Sequence, residues 1–249
     1  MFVHLHTRSW FSFRAGGSSP VDLVQRAAHL GQPALALTDQ HGVYGTVRLQ
    51  KACRDAGLHA VIGAEILVDG TPLVLLARDN EGYRDLCQLL TRAHLSAAGI
   101  ALLDDGELPA DTSDPLPTDQ RAVASISTQD LATLSARLIC LTGGRDGQLW
   151  QLLSRRRLLE AKKWLGTLHD IFGDALYVEL THGLLPEDQR IALRLYELAQ
   201  TEAIPAVVSN DVRYATPTHW RRYDLLTCMR LNHPVAEPHK LRPRNAEAY

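Results

Sequence analysis

Residues 34–68 read ALALTDQHGVYGTVRLQKACRDAGLHAVIGAEILV. The apolar runs at 34–39 and 60–68 predict buried strands. The amphipathic stretch 46–57, which stops at Gly57, predicts a helix between them. A strand, a helix and a second strand in this order form the repeating unit of α/β folds, so this stretch indicates the fold class of the whole chain.

The same alternation continues on both sides of this unit. Asp69 and Gly70 predict a hairpin turn into a further strand. About seven strands alternate with helices, which favours an α/β fold with parallel strands, either a barrel or a doubly wound sheet. The predicted strands are 2–6, 34–39, 60–68, 72–77, 138–144, 175–180 and 205–211, and the predicted helices are 20–30, 46–57, 81–95, 127–138, 148–173, 186–203 and 217–231.

Two segments depart from this alternation. Residues 98–120 contain six acidic residues and three prolines but no Lys or Arg. This composition predicts a solvated insertion or mobile loop, with an acidic metal-binding or protein-docking loop as the alternative. The polar segment after Pro234 is expected to be a linker.

Composition excludes several classes of protein. The chain has 249 residues and a formal charge of -2, so it suits one large domain or two small ones and is not a basic nucleic-acid sleeve. It has no apolar run of about 18 residues and no visible signal peptide, so no membrane partner is expected. Its four cysteines form no C-x-x-C pair, which predicts reduced thiols in a cytoplasmic protein.

Histidine and acidic residues recur at or near the carboxyl ends of the predicted strands. His4 and His6 are two residues apart, and a strand points such side chains to the same side. In a (β/α) barrel the carboxyl ends of the strands meet at one face, where active sites lie. Imidazole and carboxylate together suit Zn²⁺, Mn²⁺ or Fe²⁺. The candidate site residues are His4, His6, Asp39, Glu65, His182 and Asp211.

Each of these residues also has a structural interpretation. The two N-terminal histidines could form a surface pair, and His182 could be a turn residue. Asp39 and Asp211 could cap a helix or a turn. Glu65 is flanked by apolar residues and is costly to bury unpaired, so it could form an ion pair with a neighbouring Arg or Lys. The metal hypothesis depends on the joint placement of these residues at five strand ends.

The order and spacing of these motifs resemble the PHP domain (polymerase and histidinol phosphatase). The PHP domain that this chain resembles is the N-terminal domain of bacterial C-family DNA polymerases. These are the DNA polymerase III alpha subunits, which are nucleotidyltransferases. Residues 38–66, 75–95 and 210–231 are similar to the error-prone branch. The motifs are FVHLH (2–6), ALALTD with HGVYG (34–45), IGAEILV (62–68), YVELTHG (177–183) and SNDVRY (209–214).

The resemblance implies a distorted seven-stranded (β/α) barrel of the PHP type. This barrel would span residues 1–233, with the acidic insertion at about 98–120 inside it. Residues 234–249 would then link it to a polymerase core. The family site holds up to three divalent metals (Zn, Mn or Mg) that activate water for phosphoester hydrolysis.

The chain departs from the family pattern at four places. Arg8 follows the first motif where the family has a further His. Gln40 replaces the His of an Asp-His pair, and Thr71 and Pro72 stand where a His often precedes the strand. Arg213 replaces the last His of Asp-x-His, bringing a permanent positive charge to a cation site. Its guanidinium could pair with Asp211 or Glu65 and mimic one metal, so we expect a partly degenerate metal site.

Three functions follow from the resemblance and its departures. The first is the PHP domain of an error-prone polymerase, acting mainly as a scaffold in replication and repair synthesis, with the polymerase core, DNA and repair proteins as partners. The second is an active metal-dependent phosphoesterase or 3′–5′ exonuclease. There Asp39, Glu65 and Asp211 would be catalytic, and Arg213 would hold a substrate phosphate. Its metal ligands would be His4, His6, Asp39, Glu65, His182 and Asp211. The third is a partner-binding module that uses the acidic segment.

Overall fold

The computed structural model describes residues 2–99 and 123–249, which form a curled mixed sheet covered by helices. The path through the sheet runs β1-β2-β3-β5-β6-β7, and β4 pairs with β2. This α/β architecture confirms the predicted fold class. The strands are β1 (Ala34–Leu37), β2 (His59–Val68), β3 (Thr71–Ala77), β4 (Ser125–Ile126), β5 (Leu138–Leu141), β6 (Leu176–Thr181) and β7 (Ala206–Ser209).

The strand directions correct one expectation. The pairs β1/β2, β5/β6 and β6/β7 are parallel, as predicted. Strand β3, however, runs antiparallel to both β2 and β5. The reason is the predicted hairpin at Asp69 and Gly70, which both have a positive φ and reverse the chain at once.

The N-terminal segment is not the regular strand expected at 2–6, because the chain bends at His6. It still pairs on both sides. The Ala36 amide donates to the His4 carbonyl at 2.9 Å, which joins the segment to β1. The Arg8 and Val212 amides donate to the Val212 and His6 carbonyls at 2.8 and 2.9 Å. The segment therefore bridges β1 and the residues after β7, and it closes the curled sheet.

Helix starts follow their capping residues. Ser19 forms a capping box with Asp22 ahead of Pro20, and the next helix ends at Gly57 in the left-handed conformation. The helical region predicted at 148–173 is two helices, because Arg156 adopts a positive φ between them. The helices are α1 (Pro20–His29), α2 (Thr46–Ala56), α3 (Asn80–Ala97), α4 (Thr128–Thr133), α5 (Gln148–Ser154), α6 (Leu158–Phe172), α7 (Asp188–Thr201) and α8 (Trp220–Leu231).

The core lies on both faces of the sheet, as β3 shows. Leu73 and Leu75 pack in the cluster formed with the outer helices, whereas Val74 and Leu76 pack inside the curl. Glu65 on β2 is paired with Val74. Directly opposed residues of an antiparallel pair share a face, so the Glu65 carboxylate lies on the inner side of the curl.

The C-terminal residues expected to be a linker return to the sheet edge. The Arg213 and Tyr214 amides donate to the Ala248 carbonyl at 2.8 and 3.2 Å. The Tyr249 ring stacks on Tyr214 with the ring centroids 6.5 Å apart. A connection from here to a polymerase core stays a prediction. The acidic segment at 98–120 lies, apart from Ala98 and Gly99, outside the described residues.

No helix within the described parts of the chain combines the length and apolar character needed to cross a membrane.

Candidate functional site

His6 is the centre of a buried cluster of charged side chains at the mouth of the curl. Its Nδ1 lies 2.9 Å from Glu179 Oε1, and its Nε2 lies 3.0 Å from Glu65 Oε2 and 3.6 Å from Asp211 Oδ1. Burial alone would lower the pKa of His6, but the Glu179 and Asp211 charges and the hydrogen bonds to Glu179 and Glu65 raise it to about 10. The imidazole is therefore held as a cation.

Arg8 brings a second buried cation into the same cluster. The whole residue is only 1% exposed, although it is one of the largest side chains in the molecule. Its Nη2 donates to Glu65 and lies 3.7 Å from Asp211 Oδ1 and 3.9 Å from Asp146 Oδ2. The guanidinium thus lies between two of the carboxylates predicted as metal ligands.

Arg213 is the third cation of the cluster and contacts the Asp211 carboxylate through the oxygen that Arg8 does not approach. Its Nη2 donates to Asp211 Oδ2 at 2.6 Å and to Asp146 Oδ2 at 3.0 Å. Its Nη1 donates to the Tyr223 hydroxyl at 3.2 Å. Burial alone would raise the pKa of Asp211, but Arg213 and then Arg8 hold it well below its usual range. Arg213 therefore forms one of the ion pairs anticipated from the sequence, while the contact to Glu65 comes from Arg8.

Glu65 is fully engaged by its neighbours. Oε2 accepts from His6 and Arg8, and Oε1 accepts from the Gln40 amide at 2.7 Å. Burial would raise the pKa of Glu65, but Arg8 and then the His6 and Gln40 contacts lower it. An amide in place of an imidazole thus serves as a hydrogen-bond donor to the carboxylate, which is the opposite of a metal ligand's role.

Asp39 is buried but separate from this cluster. Its carboxylate accepts from the Ser9 amide at 2.7 Å, the Ser9 hydroxyl at 2.8 Å and the Ser12 hydroxyl at 2.6 Å. Burial raises the pKa of Asp39, and these hydrogen bonds offset the shift only in part. The contacts are those of a residue that fixes the loop from Ser9 to Ser12, one of the structural interpretations open from the sequence.

The remaining two predicted ligands make no contact with the cluster. His4 is half-buried, packs edge-on against Phe2 at 5.0 Å, and has its pKa lowered to about 4 by burial. His182 is exposed in the loop after β6, where its Nδ1 accepts from the Leu184 amide at 3.3 Å. The bend at His6 removes the simple period-two relation that placed His4 beside it.

Two members of the cluster were missed from the sequence. Glu179 on β6 is 1% exposed and binds His6, while Asp146 lies at the more exposed side of the two arginines. The signal for Glu179 was available, because it stands between apolar residues in YVEL just as Glu65 does in GAEI. Such a carboxylate needs a buried partner. Asp146 follows a glycine turn and has no comparable signature.

The cations of the cluster oppose a divalent metal, although two buried carboxylate oxygens, Glu179 Oε2 and Asp211 Oδ1, have no hydrogen-bond partner in residues 2–99 and 123–249. Both ring nitrogens of His6 and both oxygens of Glu65 already have hydrogen-bond partners, and the Arg8 guanidinium lies between Glu65 and Asp211. A cation placed there would meet two arginines at close range. Among the described residues, no three His, Cys, Asp or Glu side chains are arranged to hold a metal ion.

Comparison with known proteins identifies relatives of this fold. The family model of the PHP domain matches residues 4–183. The chain is 36% identical over 253 residues to the error-prone DNA polymerase of Symbiobacterium thermophilum, covering 100% of this chain and 22% of that protein. It is 32% identical over 264 residues to the DNA polymerase III subunit alpha of Treponema pallidum, covering 100% and 21%. The chain thus spans about a fifth of the length of these relatives.

A solved structure shares the fold. A candidate metal-dependent phosphoesterase from Bifidobacterium adolescentis superimposes with a TM-score of 0.53, covering 86% of this chain and 87% of that one at 16% identity.

Proposed function

Because the chain belongs to the PHP domain family, we propose that it serves as the PHP domain of an error-prone polymerase of the DNA polymerase III alpha type, acting mainly as a scaffold. Similarity over the whole chain to polymerases about five times its length supports this assignment. Synthesis on DNA in replication and repair would be the work of such a full-length cytoplasmic polymerase. The domain would hold the polymerase core and repair partners in place.

The observation that supports a scaffold role is the presence of three cationic side chains inside the charged cluster. His6, Arg8 and Arg213 face the carboxylates of Glu65, Glu179 and Asp211 in the buried part of the site. Positive charge that a metal would supply is present as side chains of the chain itself. In the buried part of the site three covalently attached cations face three carboxylates, and the fourth carboxylate, Asp146, is 54% exposed to solvent, so the buried part needs no ion to be neutral.

Such a cluster contributes to the rigidity of the domain. A buried charge that loses its partner typically costs about 3–5 kcal/mol, because the remaining charge stays desolvated. The cluster also joins four separate parts of the chain: the N-terminal segment, β2, β6 and the residues after β7. A role in holding the closed sheet together follows from these connections.

The test is metal content and hydrolysis measured on one preparation. Protein purified without chelator or a histidine tag is analysed by elemental mass spectrometry. It is then assayed with Mn²⁺ or Zn²⁺ on single-stranded DNA and on a generic phosphoester. We expect a folded protein with far less than one metal per chain and no turnover. Robust metal-dependent hydrolysis that disappears in Asp211→Ala, while Asp130→Ala on the surface retains it, would establish the active phosphoesterase or exonuclease instead.

A further inference from the structure

A groove between the α5–α6 connection and α7 is a second functional candidate, and it shares no residue with the charged cluster. Its volume is about 570 Å³. Leu153, Leu158 and Leu198 provide apolar lining, Arg156, Lys162 and Arg194 provide positive charge, and Glu197 adds one negative charge. A second hollow of about 380 Å³ continues along α7 and shares Arg194 and Glu197 with the first. We call the two together the α6–α7 groove.

The rim of the α6–α7 groove carries more positive than negative charge, since four cations lie there against Glu197, which lines both hollows, and Glu202, the partner of Lys162. Arg156 and Arg190 are exposed and have no ion pair within residues 2–99 and 123–249. Arg194 Nη1 donates a 3.4 Å hydrogen bond to the Leu153 carbonyl, and within the described residues its guanidinium has no ion pair. Lys162 pairs with Glu202 at 2.8 Å. Since the chain as a whole has a formal charge of -2, this is a local excess of cations.

Apolar side chains are exposed beside these cations. Leu158 is 48% exposed, Leu193 is 56% exposed, and both line the groove. Covering them would remove apolar surface from water at roughly 25 cal/mol per Å². Leucines in a hollow rimmed by arginines indicate a protein-binding surface more than a surface for a phosphate backbone, which needs the cations alone.

We propose that the α6–α7 groove docks an acidic amphipathic helix of a partner protein. Leucines of that helix would contact Leu158 and Leu193, and its carboxylates would pair with Arg156 and Arg190. Helix α7 has 14 residues and so offers a wall about 21 Å long, enough for three to four turns of a docked helix. Complementary charge would set orientation and speed up encounter. This inference does not depend on the polymerase assignment or on the state of the charged cluster.

The probe is a labelled, end-capped peptide of about 14 residues, the length of α7, with leucines at i, i+3, i+4 and i+7 spacing and glutamates at most other positions. Its binding to the whole protein is followed by fluorescence anisotropy at low and physiological salt. A peptide with lysine for glutamate tests charge, and one with serine for leucine tests apolar contact. A labelled oligo-dT of similar length tests nucleic acid.

We expect saturable one-to-one binding of the acidic leucine peptide and of none of the other three probes. Arg190→Glu and Leu193→Ser should each weaken it by about tenfold or more. Arg54→Glu on exposed α2 is the matched charge control and should change Kd by less than about twofold. Circular dichroism confirms that each variant is folded.

Three results would overturn the proposal. The first is no saturable binding of the acidic peptide at up to about 1 mM, since even weak specific contacts reach that Kd. The second is equal loss of affinity in Arg54→Glu and Arg190→Glu, which would indicate attraction to overall charge. The third is binding of oligo-dT that Arg190→Glu abolishes while the peptide does not bind, which would assign the groove to nucleic acid.

Discussion

The charged cluster around His6 and the Asp39 anchor, by which we mean Asp39 with its donors Ser9 and Ser12, stabilise buried carboxylates in two different ways. Both bury carboxylates that the sequence marks as metal ligands. In the cluster, Glu65 and Asp211 are neutralised by Arg8, Arg213 and His6. At Asp39 the partners are uncharged hydroxyl and amide donors, and the pKa of the carboxyl is raised instead of lowered.

The difference shows that a buried acid alone does not indicate a metal. Its partners decide whether charge is cancelled by other charges or only dispersed over hydrogen bonds. The cluster should therefore respond strongly to the loss of a single cation. The anchor should respond only modestly to the loss of a single donor, because two others remain.

The largest expected effect is the loss of a cation from the cluster. Arg8→Met retains much of the side-chain volume but leaves Glu65 and Asp211 without their shared guanidinium. We expect the free energy of unfolding to fall by about 3–5 kcal/mol in urea denaturation. A loss below about 1 kcal/mol would mean that the cluster is solvated and that Arg8 has no scaffold role.

The second expected effect is a pH dependence specific to the cluster. The pKa of His6 is 6.5 when unperturbed and about 10 in the fold. Its contribution to stability is thus fully present below 6.5 and is lost as pH rises toward 10. Between about pH 6.5 and 9 we expect the free energy of unfolding to fall by about 3 kcal/mol.

The His6→Gln variant is the control for this measurement, because it cannot titrate. Its free energy of unfolding should be lower throughout and nearly flat over the same pH range. An equal slope in the two proteins would show that another group is responsible. Burial raises the pKa of Asp39, so its contribution to stability is present in acid and lost as pH rises through that pKa; because both proteins contain Asp39, this contribution cancels when their slopes are compared.

The third expected effect concerns the anchor itself. Ser12→Ala removes one of the donors to Asp39 and leaves both Ser9 donors in place. The change also removes the acceptor of the Gln40 backbone amide at 2.9 Å. A net loss of about 1.5–3 kcal/mol in the free energy of unfolding is expected, typical of a hydrogen bond to a charged group. If the loss matched that of Arg8→Met, the contrast between the two regions would be wrong.

The smallest expected effect is at an ion pair outside both regions. Arg84 pairs with Glu81 at 2.8 Å on α3, with side chains 65% and 55% exposed. Arg84→Met should change the free energy of unfolding by less than about 0.5 kcal/mol, because solvent screens exposed pairs. This variant is also the matched control for Arg8→Met. A large effect here would undermine the use of burial to rank the other three.

Much of the fold was predictable because its signals are local. Apolar periodicity predicted β1, β2 and β3 to within two residues at each end, and the Asp69-Gly70 turn predicted the hairpin. Strand β4 has only two residues and lacks a pattern long enough to detect. The break between α5 and α6 depends on the positive φ of Arg156. An arginine does not signal this conformation in the sequence, because positive φ is uncommon for any residue except glycine.

The site was predictable only in part, and the reasons are geometric. Strand-end placement grouped His6, Glu65 and Asp211, and these three do lie together. His182 lies just past the end of β6 and is exposed, whereas Glu179 lies three residues earlier, inside the strand, and points into the cluster. A shift of one position along a strand exchanges the inner and outer faces, so motif spacing alone does not identify which acid is inside.

The sequence by itself determined the α/β class, the order of most strands and helices, and the presence of buried acids such as Glu65, since each depends on neighbours in the chain. Only the tertiary structure decided what those acids meet. Arg8 and Glu65 are 57 residues apart and His6 and Glu179 are 173 apart. Closing the sheet through the N-terminal segment brings them within hydrogen-bond distance. Whether a carboxylate faces a guanidinium, a hydroxyl or open space depends on this closure, because electrostatic interactions are set by distance and burial and not by sequence separation.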